Sequence, residues 1–161
     1  MGKLTDKVAV VTGASKGIGA AIAKELAAQV AAVVVNYASS KEGAARVIAE
    51  IVSAGGKAAA VGGNIARAAE VEALFAEARR LYGKIDILVN NAGVYAFTPL
   101  DTLTTETIAS IFDVNVAGCY WRRRQRCPCS RRRVAPSSTS ARSWASWLRR
   151  WAPSIAAARP W

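Results

Sequence analysis

The stretch Val8-Ala-Val-Val-Thr-Gly-Ala-Ser-Lys-Gly-Ile-Gly19 decides the fold of this 161-residue chain. Its first four residues are apolar, as in a parallel strand that is buried on both faces. Three glycines follow, and then an apolar-periodic segment that predicts a helix. A strand, a glycine turn and a helix in this order place backbone N–H groups against a pyrophosphate. Glycine-rich turns are common, so the chain downstream has to support this interpretation.

Short apolar runs alternate with amphipathic segments in the chain that follows. The runs predict strands, and the amphipathic segments predict helices. This alternation is typical of right-handed βαβ units around a parallel sheet, that is, of the α/β class. The predicted strands cover residues 8–11, 33–35, 57–61 and 85–89. Four helices are predicted. The first ends near Gln29, the second and third cover residues 42–54 and 67–82, and the fourth begins at Thr104 or Thr105 and runs toward Val116.

Four polar loops follow the predicted strands, and parallel strands bring them to one edge of the sheet. They are the glycine turn, residues 36–40, Gly63-Asn64-Ile65 and Asn90-Asn-Ala-Gly93. Each could be an ordinary connection, but the convergence of four favours a ligand site.

The charges of these loops indicate which dinucleotide would bind. A ribose with free hydroxyls usually meets an acidic residue about 20 positions after the glycines. Residues 36–40, which include Asn36, Tyr37, Ala38 and Ser39, contain no acid. Lys16 could pair with a 2′-phosphate, although a lysine in a loop can also be solvated only. NADP is therefore favoured over NAD.

Three motifs together resemble the short-chain dehydrogenase/reductase family, above all its 3-oxoacyl-carrier-protein reductase branch. They are Thr12-Gly-Ala-Ser-Lys-Gly-Ile-Gly19, Asn90-Asn-Ala-Gly93 and Asp113-Val-Asn-Val116, and the resemblance covers residues 3–121. It implies a Rossmann-type sheet with strand order 3-2-1-4-5-6-7, of which this chain supplies the incomplete part 3-2-1-4. It also implies hydride transfer between NADP(H) and a small-molecule carbonyl or acyl thioester.

The resemblance also implies roles for individual residues. Asn115 matches the catalytic asparagine that holds a water in a proton relay, a role compatible with a buried asparagine that bonds backbone. Asn64 and Ile65 match the adenine contact, where the family usually has Asp and then Val. The implied cofactor contacts are Gly13, Ser15, Lys16, Gly17, Ile18, Gly19, Asn64, Ile65, Asn91, Ala92 and Gly93, to which the loop charges add Asn36, Tyr37, Ala38 and Ser39.

The family's reaction needs three further groups: a tyrosine that gives the proton, a lysine that lowers the tyrosine pKa, and a serine. The pattern is a serine followed thirteen residues later by Tyr-x-x-x-Lys. No such pattern follows Asn115, because the last tyrosine is Tyr120 and the last lysine is Lys84. We therefore expect negligible turnover from these 161 residues.

The charge of +11 divides sharply at residue 121. Residues 1–121 hold eleven Lys and Arg against eleven Asp and Glu, whereas residues 122–161 hold eleven arginines and no acid. This change predicts two parts, a nucleotide-binding half-domain over residues 1–121 and a basic, disordered or irregular tail over residues 122–161.

The tail resembles a GC-rich gene translated out of frame. New codons can be formed from the third base of each codon and the first two bases of the codon after it. In this frame the junctions Trp144-Ala145 and Trp151-Ala152 both encode glycine. Favourable choices at degenerate bases give serine at codon 142, tyrosine at codon 155 and lysine at codon 159, which is the family's spacing. The alternatives are a basic arm that binds nucleic acid non-specifically and a solvated run with no partner, of which we favour the second.

Several other classes of protein are disfavoured. Three cysteines and no histidine predict neither a disulfide framework nor a metal site. No apolar window is long enough for a membrane span and the first residues lack a signal peptide, so we expect a cytoplasmic protein. An unpaired fourth strand predicts poor solubility. The resemblance implies a homo-oligomer through the helix that ends near Trp121.

Overall fold

A parallel four-stranded sheet forms the centre of the computed structural model, which describes residues 4–29, 31–120 and 122. Its strands are β1 (Val8–Val11), β2 (Ala32–Tyr37), β3 (Lys57–Gly62) and β4 (Ile87–Val89). They lie in the order β3-β2-β1-β4, and all pairs are parallel. The predicted α/β class and strand order are confirmed. Within the described part of the chain, no strand pairs with the outer edge of β4.

Helices connect the strands as the alternating pattern predicts. They are α1 (Gly17–Ala28), α2 (Lys41–Ser53), α3 (Ala68–Tyr82) and α4 (Thr105–Phe112), and a π-helical turn over Asp113–Ala117 follows α4. Thr104 caps α4, because its Oγ1 accepts a hydrogen bond from the N–H of Thr107. No helix among the described residues has the length and apolar character that crossing a bilayer requires.

The second strand is longer than predicted, and the fourth begins later. Asn36 and Tyr37, which the sequence places in a loop, belong to β2 because its pairing with β3 continues to Tyr37 and Gly62. The fourth strand begins at Ile87 rather than at residue 85. Val30, where a β-branched residue replaces the usual glycine after a helix, lies outside the described residues.

Side chains on the two faces of the sheet enter two different cores. Val11, Val33 and Val35 pack with α1 and α2, whereas Val10 and Val34 pack with α3. Both faces are covered, so the strands are continuously apolar. The helices thus leave the carboxyl edge of the sheet to the loops.

Asp86 fixes the opposite, amino edge of the sheet. Its Oδ2 accepts a 3.1 Å hydrogen bond from the N–H of Val8, and its Oδ1 lies 3.1 Å from Lys84 Nζ and 3.6 Å from Lys7 Nζ. The hydrogen bond from Val8 is the main cause of a lowered Asp86 pKa, and Lys84 and Lys7 lower it further.

The lowered pKa of Asp86 predicts that the stability of the fold is sensitive to acid. Because its folded pKa is lowered, its contribution is complete above the unfolded value of about 3.9 and is lost as the pH falls through the folded pKa. We expect the unfolding midpoint in urea to fall on acidification, and Asp86→Asn to reduce that dependence. The exposed-site variant Asp101→Asn is the control. An equal pH dependence of the unfolding midpoint in Asp86→Asn and in the unaltered chain would contradict this role.

Candidate nucleotide-binding site

The glycine turn lies at the carboxyl end of β1 and is packed too closely for other residues. Gly13 and Gly17 have φ values of +62° and +58°, in the left-handed region that favours glycine. A Cβ on Gly13 would lie 2.8 Å from the Cα of Ala92. A Cβ on Gly19 would lie 2.7 Å from the carbonyl oxygen of Gly13 and would collide with the amide of Asn91. The turn therefore presents bare backbone.

The amino end of α1 follows this turn and is open to an anion. Lys16 is the N-cap residue, its side chain makes no capping hydrogen bond, and the first turn of the helix contains no acidic residue. Helix N–H groups that no side chain caps carry a positive potential. Ile18 is 75% exposed here, although it is a large apolar residue. The end of α1 thus offers donors and an apolar surface together.

Thr12 and Asn91 join the glycine turn to the loop after β4. The Thr12 Oγ1 donates to the carbonyl of Val89 and accepts from the N–H groups of Asn91 and Ala92, each at 3.2 Å. The Asn91 Nδ2 donates to the carbonyls of Thr12 at 2.9 Å and Gly13 at 3.2 Å. The side chain of Asn91 is therefore used within the protein, and Gly93 follows it along the same edge.

Asn36 joins the same turn to the loop after β3. Its side chain is 1% exposed. The Nδ2 donates to the carbonyls of Val61 at 3.2 Å and Gly63 at 3.1 Å, and the Oδ1 accepts from the N–H of Gly13 at 3.4 Å. Its side chain faces the protein interior, whereas Ala38 and Ser39 are exposed. Tyr37 is half-buried, and a Cβ on Gly62 would lie 3.3 Å from its ring.

The loop after β3 is fixed by its own polar groups. The Asn64 Oδ1 accepts from the N–H of Ala66 at 3.0 Å, and the Asn64 N–H donates to Glu70 Oε2 at 2.6 Å. This backbone hydrogen bond is the main reason why the pKa of Glu70 is lowered. Ile65 is 4% exposed and packs in the core beside α3.

Asn115 lies in the π-helical turn and pairs with the chain after Gly93. Its Oδ1 accepts from the N–H of Val94 at 2.9 Å, and its Nδ2 donates to the carbonyl of Val94 at 2.8 Å. A Cβ on Gly93 would lie 3.0 Å from the Asn115 Oδ1. Single π-helical turns inside helices often occur at functional sites. The structure thus brings Asn115 to the loop that carries Asn91, Ala92 and Gly93.

A groove of about 390 Å³ lies between α1 and α2, beside the glycine turn. Its lining includes Ser15, Lys16 and Arg46, and a Cβ on Gly43 would lie 2.7 Å from the carbonyl oxygen of Ser15. Lys24 and Glu50, farther along the groove, form an ion pair. Cationic side chains therefore flank the entrance to the turn.

Arg122, the first residue of the predicted tail, is helical and fully buried. Its Nε donates to Asn90 Oδ1 at 2.7 Å and its Nη2 to Cys119 Sγ at 3.0 Å, whereas its Nη1 has no partner among the described residues. Burial is the main cause of a lowered Arg122 pKa. The predicted tail, apart from Arg122, lies outside the described residues.

Thr12 had no role in the interpretation of the sequence. It occurs in the glycine motif, but only the structure shows that its hydroxyl holds the β4 loop. The available signal in the sequence was a single hydroxyl residue between an apolar strand and a glycine, and the structure buries this residue completely. Three or more His, Cys, Asp or Glu side chains do not cluster anywhere in the described region.

A doubly wound parallel sheet with such a turn defines the class of Rossmann-type nucleotide-binding proteins. The family model for short chain dehydrogenases matches residues 7–134. The chain therefore belongs to the short-chain dehydrogenase family. The match extends beyond residue 121, where the resemblance of the motifs ends.

Relatives and solved structures agree with this assignment. An oxidoreductase of Methylorubrum extorquens is 57% identical over 118 residues, which are 73% of this chain and 48% of the relative. A 3-oxoacyl-[acyl-carrier-protein] reductase of Synechocystis is 46% identical over 120 residues, 74% of this chain and 49% of the relative. A short-chain dehydrogenase of Burkholderia cenocepacia in complex with NADP is 40% identical with a TM-score of 0.74, covering 77% of this chain and 51% of the other.

The chain spans about half the length of the curated relatives that it matches.

Proposed function

We propose that the chain binds NADP(H) at the carboxyl edge of its sheet, as the nucleotide half of a short-chain oxidoreductase. The observation that carries this proposal is the glycine turn, where Cβ atoms on Gly13 and Gly19 would fill the space against Ala92 and Asn91. Such a bare turn beside the uncapped end of α1 fits a pyrophosphate. The Burkholderia cenocepacia structure was solved with NADP, and a blue fluorescent protein from a metagenomic library, 35% identical, with NADPH.

The contacts proposed for the dinucleotide follow from the exposure of the residues. Backbone N–H groups at the start of α1 would bind the pyrophosphate, and Ile18 would pack on the dinucleotide. Lys16, Ala38 and Ser39 are exposed where the ribose 2′-phosphate would lie. Residues whose side chains are held within the protein would act through their backbone or by position, and these are Asn36, Asn64, Ile65, Asn91 and Ala92. Gly93, which has no side chain and is exposed, would act through its backbone.

Lys16 provides the first prediction for this site. A 2′-phosphate adds roughly −1.5 to −2 charges at neutral pH, so removing a nearby cation weakens NADPH and leaves NADH unaffected. We expect Lys16→Gln to raise the Kd for NADPH about five- to tenfold, as measured by cofactor fluorescence. Lys24→Gln is the matched control, since Lys24 is already paired with Glu50. Equal losses in the two variants would exclude a specific contact from Lys16.

We propose that the substrate is a small-molecule carbonyl or acyl thioester, as the family resemblance implies. A bound nicotinamide would supply the hydride. Asn115 lies in the π-helical turn, next to the loop of Gly93. The family's proton donor would have to come from the pattern that these 161 residues lack after Asn115. The proposal therefore combines dinucleotide binding with impaired turnover. It also includes a cytoplasmic location.

The same proposal covers assembly and the origin of the basic tail. Large apolar side chains of α4 and its extension are exposed, among them Ile108, Phe112 and Val116, which supports a homo-oligomer through this helix. The charge asymmetry and the match of relatives over 118–120 residues support a shifted reading frame in residues 122–161. Sequencing codons 118–125 of the locus tests it, and an unchanged frame in the gene would refute it.

Non-specific nucleic-acid binding is the second candidate function, favoured by eleven arginines and no acid in residues 122–161. Contacts to phosphates release counterions, so the affinity should fall steeply with salt. We expect a DNA shift at low salt that is lost in high salt and is lost entirely when the chain ends at residue 121. A salt-independent shift, or one that persists without the tail, would contradict this candidate.

A further inference from the structure

Asn36 lies in the stretch after the glycines where an acidic residue would meet the ribose of NAD, yet its side chain faces the protein interior. It follows Gly19 by seventeen residues, whereas Ser39 follows Gly19 by twenty, which is about the spacing at which an acid meets the ribose. Its side chain is 1% exposed at the carboxyl end of β2. Exposure of this side chain to a ribose would require the end of the strand to open.

Every polar atom of the Asn36 side chain has a partner within the protein. The Nδ2 donates to Val61 and Gly63, whose carbonyls end β3 and begin the next loop, and the Oδ1 accepts from the N–H of Gly13. The backbone carbonyl of Asn36 accepts from the N–H of Ala14 at 2.8 Å. One residue therefore joins the glycine turn to the loop that carries Asn64 and Ile65.

An amide satisfies both sides of this junction, whereas an ionised carboxylate does not. Val61 and Gly63 offer acceptors, and Gly13 offers a donor, so the side chain between them must donate and accept at the same time. A carboxylate would place negative charge against two carbonyl oxygens inside the protein, which is unfavourable. The loop after β3 already carries the carboxylate of Glu70, which accepts from the N–H of Asn64, and a second negative charge at the same loop would be opposed by it.

We propose that Asn36 is a positioning residue that aligns the glycine turn with the loop after β3. The inference rests on the proposed function, since both loops are taken to contact the dinucleotide. It assigns Asn36 to the alignment of the site and leaves the choice of cofactor to the exposed Ala38 and Ser39, as in the proposed function.

The test compares Asn36→Asp with Ser39→Asp in the full chain, with NADP⁺ and NAD⁺ titrated by calorimetry. At about pH 8 we expect Asn36→Asp to weaken both dinucleotides by a similar factor, about tenfold or more, because a buried acceptor loses its donor. Ser39→Asp should weaken NADP⁺ by a similar factor and leave NAD⁺ unchanged or tighter. If Asn36→Asp weakens NADP⁺ alone, or neither dinucleotide, the inference is overturned.

The pH dependence provides a signature that general loss of structure would not give. A protonated carboxyl resembles the amide, since it donates one O–H and can accept from Gly13. Relative to the unaltered chain at the same pH, Asn36→Asp should therefore recover affinity at about pH 5.5, whereas Ser39→Asp should keep its preference for NAD⁺. An undiminished defect of Asn36→Asp at the lower pH would contradict the donor role.

Two further measurements distinguish failure of the inference from failure of the proposed function. If Asn36→Asp does not fold at the higher pH, Asn36→Ser replaces it, with the same expectation of equal loss for both dinucleotides. If the unaltered chain binds neither dinucleotide, the proposed function fails and the unfolding midpoint of Asn36→Asp decides the inference. It should then lie below that of the unaltered chain at about pH 8 and approach it at about pH 5.5, and equal midpoints at both pH values would overturn the inference.

Discussion

Reduction of an acetoacetyl thioester by NADPH is expected to be at least about 10²- to 10⁴-fold slower with this chain than with the Synechocystis 3-oxoacyl-[acyl-carrier-protein] reductase. A positioned acid–base group contributes a factor of this size to proton transfer. The sequence has no Tyr-x-x-x-Lys after Asn115, and its last tyrosine and lysine are Tyr120 and Lys84. The side-chain amide of Asn115 is hydrogen-bonded to the backbone N–H and carbonyl of Val94.

The assay has an internal control in cofactor binding. NADPH oxidation is followed at saturating thioester, and the same preparation is titrated with NADPH to measure the bound fraction. We expect binding without turnover. Turnover at the rate of the Synechocystis enzyme would show that another group in these 161 residues donates the proton, and would refute the impaired half-site.

Gly13→Ala is expected to give the largest loss of stability and of cofactor binding among single alanine substitutions in the turn. A residue with a Cβ loses about 1–2 kcal/mol of folding free energy in the left-handed conformation, and overpacking of that Cβ against Ala92 costs about 1–3 kcal/mol more. Gly55→Ala is the matched control, because Gly55 has a φ of +82° and a Cβ there would meet nothing within 4 Å. Gly55 lies at the opposite edge of the sheet, between α2 and β3.

The comparison separates backbone strain from collision. Both variants carry the strain, so the excess destabilisation of Gly13→Ala in urea unfolding measures the contact with the β4 loop. We expect Gly55→Ala to bind NADPH like the unaltered chain and Gly13→Ala to lose binding at least tenfold, since about 1.4 kcal/mol corresponds to that factor. Equal unfolding free energies in the two variants would show that the turn tolerates a side chain.

The sequence predicts the sheet well because the strands are buried on both faces. Apolar runs such as Val8–Val11 have no polar alternative, and glycines mark where the first strand must turn. The order 3-2-1-4 follows from the handedness of βαβ units and from the family resemblance. The bounds of the strands were predicted less accurately, because β2 continues through Asn36 and Tyr37 by pairing with β3.

Side-chain direction at the site was not predictable, because it depends on contacts across the chain. Asn36 faces inward since Gly13 and Gly63 meet there, and no local pattern contains that meeting. The hydroxyl of Thr12 has its partners almost eighty residues away. The burial of Arg122 against Asn90 likewise depends on the packing of the helix that follows α4. Motifs identify which residues converge, and geometry decides which of them can reach a ligand.

Calorimetric titration of the purified chain with NADP⁺ and with NAD⁺ is the most direct test of dinucleotide binding at the glycine turn. We expect saturable binding at one site per chain, with NADP⁺ tighter than NAD⁺ and with the NADP⁺ site lost in Gly13→Ala but kept in Gly55→Ala. A folded chain, with the helix content of α1 to α4 by circular dichroism, that binds neither dinucleotide would contradict it.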